Sequence, residues 1–103
     1  MKNYQDVIIV SAPSGTGKTT INRRLVQLLK NVQVSISYTT RKKRENEKHG
    51  DHYWFVTEER FKNLITESAM VEWAQVHGHY YGTSFVEVHR ILDLGCKAIL
   101  EID

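Results

Sequence analysis

Lys18 and Thr19 are the side chains best matched, by type and spacing, to phosphate chemistry. They close the stretch Ala12, Pro13, Ser14, Gly15, Thr16, Gly17, Lys18, Thr19, Thr20. An apolar run, Val7–Val10, precedes this stretch and an amphipathic helical pattern follows it. Strand, small-residue loop and helix in that order form a phosphate-binding P-loop. Gly15 and Gly17 let successive backbone N–H groups turn inward, and the free N–H groups of the following helix add partial positive charge. Lys18 supplies a full charge to the phosphates, and the Thr19 hydroxyl suits a magnesium ion. The strict pattern is G-x-x-x-x-G-K-[ST]; its first position here is Ala12, which is still small.

A second group of residues suits a second anionic substrate. Arg41 and Arg44 share one polar loop, so both guanidinium groups can turn to one phosphate, whose oxygens match the arginine fork. Tyr53 and Tyr81 can each donate a phenolic hydrogen bond while packing a ring. Glu72, within VEWAQ between residues expected in the core, can accept from N1–H and the N2 amino group of guanine; adenine offers no such donor pair on that edge. Ser37 and Thr83 can serve the remaining polar edge of a base. Each residue taken alone also fits a plainer role. Arg41–Arg44 fits a solvated basic run or a nucleic-acid patch, the tyrosines fit core or surface aromatics, and Glu72 fits an exposed strand position. His49 with His52, and His77 with His79, have metal-compatible spacing, but no cysteine or acidic set completes a zinc pattern, and they read as surface residues.

The elements that must position these groups follow from periodicity. Asp6–Ser11 is expected to be a strand buried on both faces, and Thr19–Lys30 a helix burying Ile21, Leu25, Leu28 and Leu29. Gln33–Ser37 alternates as a half-exposed strand. Tyr38–His52 reads as an exposed, mobile loop with a Gly50-Asp51 turn, and Tyr53–Val56 as a short aromatic strand. Thr57 is placed to cap a helix Glu58–Thr66. Met70–Val76 is a strand, and Gly78-His79 turns the chain toward Tyr80 and Tyr81. Ser84 and Glu87 form a capping box for a helix reaching Leu94, with Gly95 after it, and Lys97–Asp103 is a final strand. The fold class is therefore α/β: a P-loop parallel-sheet core, residues 1–34 and 84–103, interrupted by a small mixed α/β lobe, residues 35–83.

The sequence has 103 residues, 41% hydrophobic and 25% charged, which suits one small globular domain. No apolar run is long enough to span a membrane, and Met1–Asp6 has no signal-peptide core. The single cysteine, Cys96, has no partner within the chain and reads as a packing residue. These features point to the cytoplasm and away from a membrane. A net charge of +2 gives no global field for nucleic acid. Because the chain stops at a strand, it is expected to be the N-terminal part of a larger domain.

The segments SAPSGTGKTT, SISYTTRKKR, GDHYWF, VEWAQVHGHYYGTS and ILEID, in this order and spacing, closely resemble the guanylate kinase family. The resemblance spans essentially the whole chain, and its middle motifs are more specific than the P-loop. It implies ATP-dependent phosphorylation of GMP, and of dGMP, to the diphosphate, with magnesium accompanying ATP. By motif, Lys18, Arg41 and Arg44 would be catalytic, and Ala12–Thr20 would hold the ATP phosphates. Arg41, Arg44, Tyr53 and Tyr81 would hold the GMP phosphate. Glu72, Ser37 and Thr83 would read guanine, with Glu101 nearby. Thr19 would hold magnesium, and Asp103 would lie in the magnesium environment. Ala12 stands where many members have glycine. The family also continues well past Asp103, into the lid and the adenine-binding segment, so this chain would lack the full catalytic constellation. Guanylate-kinase-like modules of scaffold proteins, which bind peptides without catalysis, are the alternative; they tend to lose P-loop residues that this chain keeps. A kinase for another nucleotide and a nucleic-acid binder are further alternatives.

Overall fold

The computed structural model describes residues 4–11 and 18–102, with only the backbone of residues 18–22. After a 3-10 turn at Tyr4–Asp6, the elements in chain order are β1 (Val7–Ser11), α1 (Lys18–Leu28), β2 (Val32–Val34), β3 (Tyr38–Thr39), β4 (Trp54–Phe55), α2 (Glu58–Thr66), β5 (Met70–Val76), β6 (His79–Ser84), α3 (Phe85–Asp93) and β7 (Lys97–Ile102). They divide into two compact units, Met1–Ser35 with Val88–Asp103, and Ile36–Glu87.

In the first unit β7 lies between β1 and β2 and runs parallel to both. Its register, Val7↔Ala98 through Ser11↔Ile102, brings the C-terminal ends of β1 and β7 side by side. Val88 and Ile91 of α3 pack on Ala98 and Leu100, with Val7, Leu92, Cys96 and Ile102 around them. Cys96 is thus a packing residue beside the core. Asn31, in the left-handed region at φ 57°, closes the connection into β2, and its carbonyl accepts the Lys97 N–H at 2.7 Å.

Several details differ from what periodicity predicts. β1 is not buried on both faces: Val7 packs on the core cluster, but Ile9, on the same face, is 61% exposed. Leu28 and Leu29 are exposed, so the apolar stripe of α1 is only partly covered among the described residues. The second strand is shorter and earlier than Gln33–Ser37. The Ser35 N–H still reaches the Ile99 carbonyl at 2.8 Å, but the next N–H, of Ile36, goes to the Glu87 carboxylate at 2.7 Å, and the chain leaves the sheet. That exchange also sets the unit boundary one residue later than the sequence suggests. The second boundary is later as well. Phe85 donates to the Ala69 carbonyl at 2.9 Å and Glu87 binds Ile36, so the start of α3 belongs with the second unit.

The second unit is a mixed sheet in the order β4-β3-β6-β5. β3 is parallel to β4 and antiparallel to β6, and β5 and β6 form an antiparallel hairpin. Its turn is His77-Gly78, not Gly78-His79. Both residues have positive φ, 51° and 82°, and His79 already pairs with Val76, as a tight primed turn requires. Thr57 caps α2 by accepting the Arg60 N–H at 3.1 Å. Phe61 of α2 stacks on Tyr80 at 5.2 Å, so α2 covers that face of β6. Gly82 lies on the same face opposite Trp73; a Cβ there would meet the Glu72 carbonyl oxygen at 2.7 Å, so this close approach requires glycine. Strand alternation puts Tyr81 and Thr83, with Glu72 on β5, on the opposite face.

Candidate functional site

The β5–β6 hairpin builds one part of the site. Glu72 and Thr83 are register partners, and the Thr83 hydroxyl donates to Glu72 Oε1 at 2.9 Å. Thr83 is fully buried and Glu72 half-buried. The carboxylate is therefore oriented by one hydroxyl and keeps acceptor capacity on its other oxygen. The neighbours of Glu72 are not core residues as VEWAQ suggests: Val71 and Trp73 are exposed, Trp73 by 46%, because β5 is the edge strand.

Arg41, just after β3, builds the other part. Its Nη1 donates to Glu47 Oε1 at 3.0 Å and its Nη2 to Oε2 at 2.8 Å, a bidentate pair with side chains only 14% and 11% exposed. The guanidinium carbon lies 5.4 Å from the Tyr53 ring centroid and 5.9 Å from that of Phe55. Tyr53 in turn meets Tyr81 edge-to-face at 6.0 Å. The polar loop is therefore neither wholly exposed nor loose. Its first residues form β3, its Arg41–Glu47 segment is tied by an ion pair, and Gly50 at φ 81° donates to the Tyr53 carbonyl at 2.7 Å. His49 and His52 each spend Nδ1 accepting a backbone N–H, from Phe55 and Lys48 respectively, both at 3.1 Å.

Electrostatics follow this geometry. The Arg41 fork, aided by the Arg44 N–H, holds the Glu47 carboxyl down at about 2. Its contribution to stability is fully present above the unfolded carboxyl value near 4.5 and is lost progressively as pH falls from there through about 2. The bond to Glu47 is the largest influence raising Arg41 above the ordinary arginine range; desolvation opposes it, and a side-chain bond with Tyr81 adds to it.

The second unit thus brings Arg41, Tyr53 and Tyr81 together, and pairs Glu72 with Thr83 on the face that also carries Tyr81. Ser37 is half-buried just before β3, and its carbonyl accepts the Trp54 N–H at 2.8 Å. Arg44 is exposed, and its backbone N–H is held by Glu47 Oε1 at 2.8 Å. Glu101 lies on β7, in the first unit. Ala12, Pro13, Ser14, Gly15, Thr16, Gly17 and Asp103 lie outside the described residues; Lys18, Thr19 and Thr20 open α1. Sequence reasoning missed Glu47 and Phe55 as members of the arginine cluster. The only signal was an acidic residue in the same loop as two arginines, and no periodicity picks it out.

Residues 4–103 match the family model for guanylate kinase. The chain belongs to the guanylate kinase family. It is 41% identical over 101 residues to the guanylate kinase of Legionella pneumophila (strain Lens), covering 98% of this chain and 48% of that protein. It is 50% identical over 99 residues to that of Shewanella violacea, covering 95% and 48%. The crystal structure of guanylate kinase from Anaplasma phagocytophilum matches with a TM-score of 0.71 and 34% identity, covering 94% of this chain and 48% of that one. The chain therefore spans about half the length of the guanylate kinases it matches. No helix among the described residues is long and apolar enough to cross a membrane. Nor do the described residues contain a cluster of three or more His, Cys, Asp or Glu suited to a metal.

Proposed function

We propose that this chain carries the GMP-binding lobe and the P-loop of a guanylate kinase. The reaction moves the γ-phosphoryl group of ATP directly to a phosphate oxygen of GMP or dGMP, giving the diphosphate and ADP. A cytoplasmic setting, where both nucleotides are present, goes with this reading. The observation that carries it is the hydroxyl-oriented carboxylate, Glu72 with Thr83, on the same sheet face as Tyr81 of the arginine–tyrosine cluster. One face then offers an acceptor for the guanine N1–H and N2 amino group, and donors for a phosphate.

The roles follow from charge. Glu72 reads guanine, helped by Thr83 and Ser37, and the family resemblance assigns Glu101 to the same ligand. Arg41 and Arg44 neutralise the acceptor phosphate, with Tyr53 and Tyr81 donating beside them, so that its oxygen can approach the γ-phosphorus in line. Lys18 and the N–H groups of Ala12–Thr20 stabilise charge on the ATP phosphates. Magnesium bound with ATP would supply charge neutralisation on the phosphates. Thr19 offers a hard oxygen of the kind it prefers, and Asp103 would lie in its surroundings.

Calorimetric titration with GMP, AMP and UMP tests the reading. Saturable binding of GMP with no binding of AMP or UMP is expected. Equal binding of AMP, or none of GMP by folded protein, would overturn it.

A further inference from the structure

Glu47 is the hub of the arginine loop. Its carboxylate accepts both Nη groups of Arg41, and its Oε1 also accepts the Arg44 backbone N–H at 2.8 Å. Its own N–H donates to the Arg44 carbonyl at 3.0 Å, and its carbonyl accepts Lys43 Nζ at 3.1 Å. One residue therefore fixes the side chain of the first arginine and the backbone of the second. Arg41 Nη1 is spent on Glu47 and on the Lys42 carbonyl, the latter at 3.0 Å. Nε and the second N–H of Nη2 form the other edge of the fork. The guanidinium carbon lies 5.4 Å from the Tyr53 ring centroid and 5.9 Å from that of Phe55, and the Tyr53 ring in turn meets Tyr81. An arginine has donors for two anions on two edges.

We infer that Glu47 is a positioning residue for phosphate binding. It holds one edge of the Arg41 fork so that the other edge meets the phosphate, and it sets where Arg44 starts from. The inference rests on the GMP reading above and adds a residue to it. Glu47 touches no substrate on this account. Its charge offsets part of the charge of Arg41, so what it contributes is orientation: a guanidinium already held in place binds phosphate without first being ordered. A carboxylate that merely occupied the phosphate site would behave in the opposite way, and its removal would tighten binding.

The test compares GMP with guanosine, which lacks the phosphate, by calorimetry on the parent protein and on Glu47→Gln. The amide keeps the size of the side chain but loses one acceptor and the charge. GMP affinity is expected to fall by about tenfold, with guanosine affinity unchanged. Unchanged or tighter GMP binding would overturn the role of Glu47, as would equal weakening of both ligands, which would mark general damage to the lobe. Should Glu47→Gln fail to fold, Glu47→Asp, which keeps the charge but has shorter reach, is expected to show the same split between the two ligands; equal effects on both would overturn the role. A parent protein that binds no GMP overturns the GMP reading itself, and this inference with it. A parent that binds GMP, with an unaffected variant, overturns only the inference.

Discussion

Glu72 differs from Glu47 in being held by a buried hydroxyl rather than by a cation. The Thr83 bond occupies part of Oε1 and leaves acceptor capacity on the other oxygen. Replacement by glutamine preserves shape and leaves an amide oxygen that Thr83 can still serve. It also turns an NH2 group toward a ligand edge that itself donates. Glu72→Gln is therefore expected to weaken GMP and guanosine alike, by about 10- to 100-fold, the loss of one charge-assisted hydrogen bond. Calorimetry with both ligands checks this, and it distinguishes Glu72 from Glu47, whose replacement is expected to affect GMP alone.

At the scale of elements, the start of α3 is fastened by a carboxylate that reaches beyond its own helix. Ser84 Oγ accepts the Glu87 N–H at 3.0 Å, as a cap should, and the Glu87 carboxylate reaches out to other segments. It accepts from the Ile36 N–H at 2.7 Å and from Trp54 Nε1 at 3.4 Å. Three chain segments that are distant in sequence meet at this one side chain, which is only 2% exposed. Glu87→Ala would strand a backbone N–H and an indole N–H in a buried site. Stability is expected to fall by about 2–4 kcal/mol, the cost of such unpaired groups together with the lost side-chain volume. Urea unfolding followed by tryptophan fluorescence measures it, and a midpoint within error of the parent would show that Glu87 does not fasten the lobe.

At the scale of the molecule, the proposed chemistry is divided. The residues assigned to GMP, Glu101 apart, lie in Ile36–Glu87, and the P-loop lies in the unit built from Met1–Ser35 and Val88–Asp103. Each unit has its own sheet and its own apolar packing, Phe61 and Leu64 in one, and Ile91, Ile99 and Leu100 in the other. Removing the P-loop charge should therefore spare the GMP lobe. Lys18→Ala is expected to leave GMP affinity within about twofold of the parent, and to lower phosphoryl transfer by at least about a hundredfold. Titration and a coupled turnover assay check the two halves of that statement, and a parallel loss of GMP affinity would contradict the division.

The sequence by itself determined the family, the α/β class, the parallel-sheet core, the Thr57 cap and the residues worth testing. Those features rest on local signals: an apolar run before a glycine-rich loop, a capping residue before an amphipathic stretch, and motifs in a fixed order. Only the tertiary structure decided how the arginine loop is tied, where the second strand ends and what Glu87 does. Each of those depends on a partner far along the chain or outside any period. Ile36 leaves the sheet because a carboxylate from 51 positions away takes its N–H. Arg41 is held in place because Glu47 pairs with it and the Tyr53 and Phe55 rings lie beside it. Periodicity reports which face a residue shows to the core; it carries no record of which polar groups find each other when separate segments close together.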